Sequence, residues 1–280
     1  MTDRSPPAPS KSPRASPLIE MVAVEKVFAD GTRALRPVDL TVGTGEFLTL
    51  LGPSGCGKST LLSMMANLLD PSGGQVRWWG GGPETIGDAG RQIGVVFQDA
   101  TLMPWATVEA NVRLLFDLDG ASRAAAAPQV RDALARVGLG AFARHYPRQL
   151  SGGMRMRVAI ARALSTRPDV LLMDEPFGAL DEFTRQELDD DMLRMWSDQA
   201  LTIVFVTHSI YEAVFMSTRI AIMAARPGRV IREIVVDEPF PRGDDYRGSP
   251  RFAATCAEVM AALTDAHRQS ATLSAPGAEP

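Results

Sequence analysis

Cysteine and long apolar runs are both scarce in this sequence of 280 residues. The two cysteines, Cys56 and Cys256, match neither the spacing of a zinc site nor a framework of disulfide bonds, which favours reduced thiols in a cytosolic protein. Since no stretch of about 18 apolar residues occurs, we expect no helix that crosses a bilayer. Residues 1–17 also lack the apolar segment of a secretory signal.

Positive charge is limited as well. The formal net charge is −4, and lysine occurs only at Lys11, Lys26 and Lys58. Without a strong basic field, the chain is not expected to bind nucleic acid. Hydrophobic residues amount to 45%, which is enough for a sizeable core in one large domain or two small ones.

Composition separates the ends of the chain from its middle. Proline and serine dominate residues 1–17, and residues 269–280 have a similar composition, so both segments are predicted to be disordered tails. The folded domain is expected at residues 18–235. An extension at 236–268 is predicted to contain one helix.

Short apolar runs alternate with helical patterns through the folded domain. Two strands joined by a tight turn are predicted at 18–28 and 35–42. Five further runs suit strands that are buried on both faces, at 46–51, 92–98, 169–175, 201–208 and 219–224. Helical spacing occurs at 59–69, over most of 107–165, and at 183–196. This alternation predicts an α/β fold whose mainly parallel sheet is covered by helices.

A glycine-rich stretch follows the first of these buried runs. It fits the pattern G-x-x-x-x-G-K-[ST] and lies between a predicted strand and a predicted helix, as a phosphate loop does. Its glycines let successive backbone N–H groups turn inward, and the helix behind adds the positive end of its dipole. The residues expected to hold nucleotide phosphates are Gly52, Pro53, Ser54, Gly55, Cys56, Gly57, Lys58, Ser59 and Thr60.

Polar side chains follow three other buried strands at the point where each strand ends. Asp174 and Glu175 end the run at 169–175, where they could hold Mg²⁺ through water and polarise an attacking water molecule. Gln98 and His208 end two further runs. Because ligands of such sheets bind at the carboxyl ends of the strands, these four side chains are expected to converge on the phosphate loop.

The segment Leu150–Met154, "LSGGM", resembles the signature motif of ABC-type ATPases, usually written LSGGQ, from which Met154 departs. The other motifs of that family match in order across about residues 18–235. "GALD" at 178–181 resembles its D-loop, Gln98 its Q-loop glutamine, and His208 its switch histidine. The resemblance implies a P-loop NTPase core with an antiparallel β subdomain and an inserted α-helical subdomain at about 99–165.

The resemblance also implies roles for individual residues, with ATP and Mg²⁺ as cofactors. Glu175 corresponds to the general base, and His208 to the group that bonds the γ-phosphate and the attacking water. Phe28 lies where the family places an aromatic ring that stacks on adenine. The residues that would hold Mg²⁺ are Ser59, Gln98 and Asp174.

A second anion site is implied at the signature motif. Ser151, Gly152 and Gly153 open a predicted helix, so the Ser151 hydroxyl and the glycine amides can bind phosphate as the first loop does. One chain has no use for two such sites that face different ways. The family's solution is a head-to-tail homodimer that clamps two ATP molecules, with Asp181 coupling the two sites.

Three classes of ABC protein compete for this sequence. Residues 99–149 leave no room for the long insertion of the DNA-repair and chromosome class, and one ATPase unit does not fit the translation-factor class. The segment that follows Gln98, with Leu102–Trp105, resembles the importer surface that meets the membrane subunits. "RPGR" at 226–229 resembles the nitrate, sulfonate and taurine branch.

That branch implies a peripheral protein on the cytoplasmic face of the membrane. It would work with two transmembrane permease subunits and an extracytoplasmic solute-binding protein. The expected solute is an oxyanion such as nitrate, a sulfonate or taurine. Another small organic solute, such as a pyrimidine precursor, and a soluble ABC ATPase without a transport function stay open as alternatives.

Overall fold

The computed structural model describes residues 17–199, 201–225 and 227–273. Most of the predicted N-terminal tail and residues 274–280 of the predicted C-terminal tail lie outside these ranges. The strands are β1 (Pro17–Val27), β2 (Arg33–Gly43), β3 (Phe47–Leu51), β4 (Gly73–Trp78), β5 (Ile93–Val96), β6 (Val170–Asp174), β7 (Thr202–Thr207), β8 (Arg219–Ala224) and β9 (Arg229–Val235). The helices are α1 (Lys58–Met65), α2 (Val108–Leu118), α3 (Arg123–Arg136), α4 (Gly152–Leu164), α5 (Glu182–Gln199), α6 (Ile210–Met216), α7 (Asp244–Arg247) and α8 (Pro250–Leu273).

A six-stranded sheet forms the centre of the fold, in the order β5-β6-β7-β3-β8-β9. The first five of these strands are parallel and β9 is antiparallel to β8. They correspond to the five predicted apolar runs, and their buried side chains form the core. Strands β5, β6, β7 and β3 are neighbours, so their carboxyl ends lie side by side along one edge of the sheet.

A second, antiparallel sheet has the order β2-β1-β4 and includes the predicted hairpin of β1 and β2. Strands β4 and β9 were not predicted. Both are partly exposed and have polar sequences, GGQVRW and RVIREIV, that lack the long apolar run of a buried strand. They form because neighbouring strands supply hydrogen-bond partners for their backbones.

Helix α1 is shorter than its apolar spacing predicts, since it ends at Met65 rather than near Asp70. Asn67 takes a left-handed conformation with φ of 55°. Its N–H donates to the Met64 carbonyl at 3.1 Å, and the next N–H, of Leu68, donates to the Ser63 carbonyl at 2.9 Å. These two bonds are a Schellman termination, so Asn67 ends the helix locally.

Helices α2, α3 and α4 form the helical segment between β5 and β6, as predicted for about 99–165. A hydroxyl caps the N-terminus of each one: the side chains of Thr107, Ser122 and Ser151 accept bonds from backbone N–H groups of the first turn. The third cap is the serine of the LSGGM motif. The fold therefore presents the N-terminus of α4 with its polar cap in place.

The C-terminal extension packs on the central domain through apolar side chains of α8 and through one buried arginine. The Arg242 guanidinium donates to the carbonyls of Phe215 at 2.8 Å and Ser217 at 2.9 Å, at the end of α6. Helix α8 then runs to Leu273 and overlaps the predicted tail at 269–273. No proline interrupts the sequence between Pro250 and Leu273, which allows the helix to extend into that segment. No helix within the described residues is long and apolar enough to cross a membrane.

Candidate nucleotide-binding site

The glycine-rich loop lies between β3 and α1, as predicted. Gly55 and Gly57 have φ of 74° and 91°, a left-handed conformation that favours glycine. A Cβ atom at Gly57 would also lie 2.6 Å from Leu35 Cδ2. Cys56 is fully buried within the loop, and burial raises the pKa of its thiol, so it serves as a packing residue.

Lys58 is 4% exposed and extends beneath this loop. Its Nζ donates to the carbonyls of Gly52 at 2.8 Å and Pro53 at 3.1 Å. The same Nζ lies 3.4 Å from Glu175 Oε1, with which it forms an ion pair. The ammonium group is therefore fixed in position at the site where phosphates are expected, with a carboxylate beside it.

Ser59 and Asp174 are in direct contact at the first turn of α1 and the end of β6. Ser59 Oγ donates to Asp174 Oδ1 at 2.9 Å. Burial raises the pKa of Asp174, and the Ser59 hydrogen bond opposes that rise. A cation here would stabilise the charged carboxylate.

This pair fits Mg²⁺, which prefers oxygen ligands and few protein groups. Among the described residues, no cluster of three or more His, Cys, Asp and Glu side chains could hold a metal ion. The hydroxyl and the carboxylate would thus be joined by phosphate oxygens and water, as in other nucleotide sites.

Glu175 lies between two potential partners. Its Oε2 is 3.1 Å from His208 Nδ1, while its Oε1 faces Lys58. The backbone of Glu175 has φ of 44°, unusual for a residue other than glycine. Its N–H donates to the Val206 carbonyl at 3.0 Å, which fixes this conformation at the end of β7. Such strain is typical of functional positions.

Two predicted residues are not part of this cluster. Gln98 is exposed, two residues beyond β5, and among the described contacts it has no hydrogen bond to Ser59 or Asp174. Phe28 follows β1 and is 41% exposed, so it is not a core residue. Lys26 Nζ lies 5.6 Å from its ring centroid. The Phe28 ring is therefore partly exposed to solvent, with an ammonium group over it.

The signature segment packs against the D-loop segment. Ser151 Oγ accepts from the Met154 N–H at 3.2 Å, and Ser151 and Gly152 are exposed. A Cβ atom at Gly153 would lie 2.5 Å from Thr184 Cγ2. Thr184 donates two hydrogen bonds to Asp181, which lower the pKa of that carboxyl. None of the described hydrogen bonds joins residues 151–153 to the phosphate loop, so the two predicted anion sites are separate within one chain.

One close contact at the phosphate loop was not predicted. Gly228 donates its N–H to the Ala34 carbonyl at 2.9 Å, and its carbonyl accepts from the Arg36 N–H at 2.9 Å. A Cβ atom at Gly228 would lie far inside van der Waals contact with the carbonyl oxygen of Cys56. The glycine of the "RPGR" motif was the signal in the sequence, and its function is to admit this close approach.

The fold and the site together define a P-loop ATPase: a parallel sheet ends in a phosphate loop, a hydroxyl–carboxylate pair and a carboxylate beside a histidine. The family model described as ABC transporter matches residues 35–178. The chain belongs to the ABC transporter family, as its motifs predicted, and it is an ATP-binding subunit that hydrolyses ATP.

Import ATP-binding proteins of two bacteria are similar to this chain over most of their length. The aliphatic sulfonates import ATP-binding protein SsuB of Bacillus licheniformis is 45% identical over 239 residues, 84% of this chain and 90% of that protein. The taurine import ATP-binding protein TauB of Pseudomonas entomophila is 41% identical over 260 residues, 90% of this chain and 99% of that protein. A solved structure, the dimeric ATP-binding cassette MJ0796 bound to ADP and phosphate in a post-hydrolysis state, has a TM-score of 0.68 and 34% identity, and the match covers 79% of this chain and all of that one.

Proposed function

We propose that this chain is the ATP-hydrolysing subunit of an importer for a small oxyanion, with an aliphatic sulfonate or taurine as the leading solutes. The observation that carries the proposal is the position of Glu175, whose carboxylate lies between Lys58 and His208, next to the Ser59–Asp174 pair. Support for the solute comes from the import proteins for sulfonates and taurine, which are 45% and 41% identical.

The chemistry assigns a task to each group. Backbone amides of the loop and Lys58 bind the β- and γ-phosphates of ATP. Ser59, Asp174 and Gln98 would together hold Mg²⁺. When bound, the ion would neutralise charge on the phosphate oxygens. Glu175 accepts a proton from the attacking water, and that water bonds His208.

The ion pair of Lys58 and Glu175 must loosen for this reaction. While the ammonium group of Lys58 holds Glu175 Oε1 in this ion pair, that oxygen is not available to the attacking water. The γ-phosphate carries more negative charge than the carboxylate, so it draws the ammonium group toward itself. Glu175 is then free to act as the base only once nucleotide has entered.

Assembly follows from the two separated anion sites. We propose a head-to-tail homodimer in which Ser151, Gly152 and Gly153 of one copy complete the ATP site of the other, and Asp181 couples the two sites. The solved cassette MJ0796 is dimeric, which supports the formation of a dimer. Phe28, exposed beyond β1, would stack on adenine.

The membrane partners would contact the segment that follows Gln98. Trp105 is 77% exposed there. The backbone around it is fixed by the buried Asn111 amide, which bonds the Met103 N–H at 2.7 Å and the Ala106 carbonyl at 3.1 Å. An exposed indole on a rigid loop suits a docking surface for two permease subunits on the cytoplasmic face. An extracytoplasmic solute-binding protein would deliver the solute.

Growth on a single sulfur source tests this function. A strain that lacks the chain is expected to fail on an aliphatic sulfonate or on taurine and to grow normally on sulfate. The wild-type gene should restore growth, and so should Glu187→Gln, a change of an exposed glutamate on α5. Glu175→Gln should not restore it, because the base is lost. Normal growth of the deletion strain on both solutes would contradict the solute, and rescue by Glu175→Gln would contradict the role of Glu175.

A further inference from the structure

A buried ion pair joins the first turns of α5 and α6, outside the cluster that surrounds the phosphate loop. Arg185 Nε lies 3.4 Å from Glu212 Oε1, and the two side chains are 22% and 6% exposed. Sequence reasoning did not single out either residue. Both helices begin directly after a loop that carries a proposed site residue: Asp181 precedes α5, and His208 precedes α6.

Arg185 holds the loop that precedes α5. Its Nη2 donates to the Leu180 carbonyl at 2.9 Å, and its backbone N–H donates to the Asp181 carbonyl at 3.0 Å. The loop before this point has the sequence FGAL at 177–180. The guanidinium therefore fixes a backbone carbonyl next to Asp181.

Glu212 holds the residues on both sides of His208. Its Oε2 accepts a hydrogen bond from the Thr207 hydroxyl. That hydroxyl accepts from the Ser209 N–H at 3.0 Å, and Ser209 Oγ accepts from the Glu212 N–H at 3.3 Å. The two residues that flank His208, Thr207 and Ser209, are thus both hydrogen-bonded to Glu212, the first through its carboxylate and the second through its backbone N–H.

The pair has more effect on geometry than on stability. Burial of two charges costs about as much free energy as their attraction returns, so an ion pair of this kind adds little net stability. Each partner makes directional hydrogen bonds to its own loop, Arg185 to Leu180 and Glu212 to Thr207, and the ion pair between them joins the two loops. Burial raises the pKa of Glu212, while Thr207 and Arg185 oppose that rise.

We propose that Arg185 and Glu212 are positioning residues for ATP hydrolysis, which lock the loop of Asp181 to the loop of His208 so that the two move as one unit. This inference rests on the proposed roles of Asp181 and His208. Neither positioning residue touches the nucleotide. They act through Leu180 and Thr207, and they transmit the state of the dimer contact at Asp181 to the histidine that bonds the attacking water.

A double-mutant cycle on the full-length chain tests the inference. Arg185→Gln and Glu212→Gln are each expected to lower kcat for ATP about tenfold, since a small misplacement of a catalytic group has large effects. KM for ATP should change less than about twofold, because the phosphate loop is untouched. The double variant should be no slower than the slower single variant, because both changes break one link.

A matched pair at the opposite edge of the sheet supplies the control. Arg219 Nε lies 2.6 Å from Glu46 Oε1, and the side chains are 16% and 17% exposed. Glu46→Gln should lower the midpoint of urea unfolding and leave kcat within about twofold of the wild type. If either Gln variant fails to fold, Arg185→Lys keeps the charge but cannot reach both Leu180 and Glu212, and it should show an intermediate kcat.

Unchanged kcat in the Arg185 and Glu212 variants, or losses that multiply in the double variant, would overturn the inference. A loss of kcat that matches that of Glu46→Gln would do so as well, since it would reflect stability alone. Glu175→Gln separates this outcome from failure of the proposed function. If that variant hydrolyses ATP normally, the assigned site is wrong; if it is inactive while the paired variants are unaffected, only the positioning role is wrong.

Discussion

At the scale of single residues, Asp189 on α5 stands out because it is a carboxylate only 4% exposed. Burial raises its pKa well above the ordinary value of 3.8; Glu212 and Asp190 add to the rise, and Arg247 and Arg185 oppose it. The folded chain therefore holds this proton to a higher pH than the unfolded chain does. Stability must fall as pH rises through the window between the two pKa values.

Asp189→Asn is expected to remove this loss. The free energy of unfolding of the variant relative to the wild type should increase as pH rises from about 4 to about 8, by about 1.4 kcal/mol for each unit by which the native pKa is raised. Urea unfolding across that range measures the difference. Asp198→Asn, at an exposed position of α5, is the matched control for removal of one carboxylate. A difference that shifts in favour of the wild type at high pH would contradict the assignment.

The residues at the carboxyl ends of the strands could be predicted from motif spacing and from their positions at strand ends. The structure brings together, at this edge of the sheet, Lys58, Ser59, Asp174, Glu175 and His208. The pair of Arg185 and Glu212 could not be found in the same way. Helix α5 carries charged residues on nearly every turn, and only its packing against α4 and α6 decides which of them are buried.

At the scale of elements, the turn between β8 and β9 supports the phosphate loop. A side chain at Gly228 would meet two backbone atoms, the carbonyl oxygens of Cys56 and, at 2.7 Å, of Ala34. Rotation of a side chain cannot relieve such contacts. Gly228→Ala should therefore push the phosphate loop from its position, weaken ATP binding about tenfold and destabilise the fold by about 1–3 kcal/mol.

Nucleotide titration and urea unfolding measure both effects. The control is Gly140→Ala, because a Cβ atom at Gly140 would meet nothing within 4 Å. ATP affinity equal to that of the wild type in Gly228→Ala would refute the supporting role of this turn.

Elements with long apolar runs were predictable, and those that depend on their neighbours were not. The buried parallel strands were evident because both of their faces are covered. Strands β4 and β9 are recognisable only beside the strands that pair with them. The apolar pattern of α1 continues beyond Met65, but the helix ends there because Asn67 takes a left-handed conformation. Local backbone geometry overrode periodicity there.

At the scale of the whole molecule, the central claim is that one chain carries two half-sites for ATP. The phosphate loop and the exposed N-terminus of α4 at Ser151 share no hydrogen bond within the described part of the chain. Each is a concentration of N–H donors that attracts phosphate. In the proposed dimer, a second copy placed head to tail would satisfy both segments at once, and the γ-phosphate would link the two copies.

The structure of Glu175→Gln assembled with ATP and Mg²⁺ tests this claim most directly, because loss of the base holds the nucleotide uncleaved. We expect a dimer with two bound ATP molecules, in which Ser151 Oγ of each copy lies about 3 Å from the γ-phosphate held by Lys58 of the other. Ser151→Ala in the same background should weaken that dimer. A nucleotide-bound assembly with Ser151 far from every terminal phosphate would contradict the account.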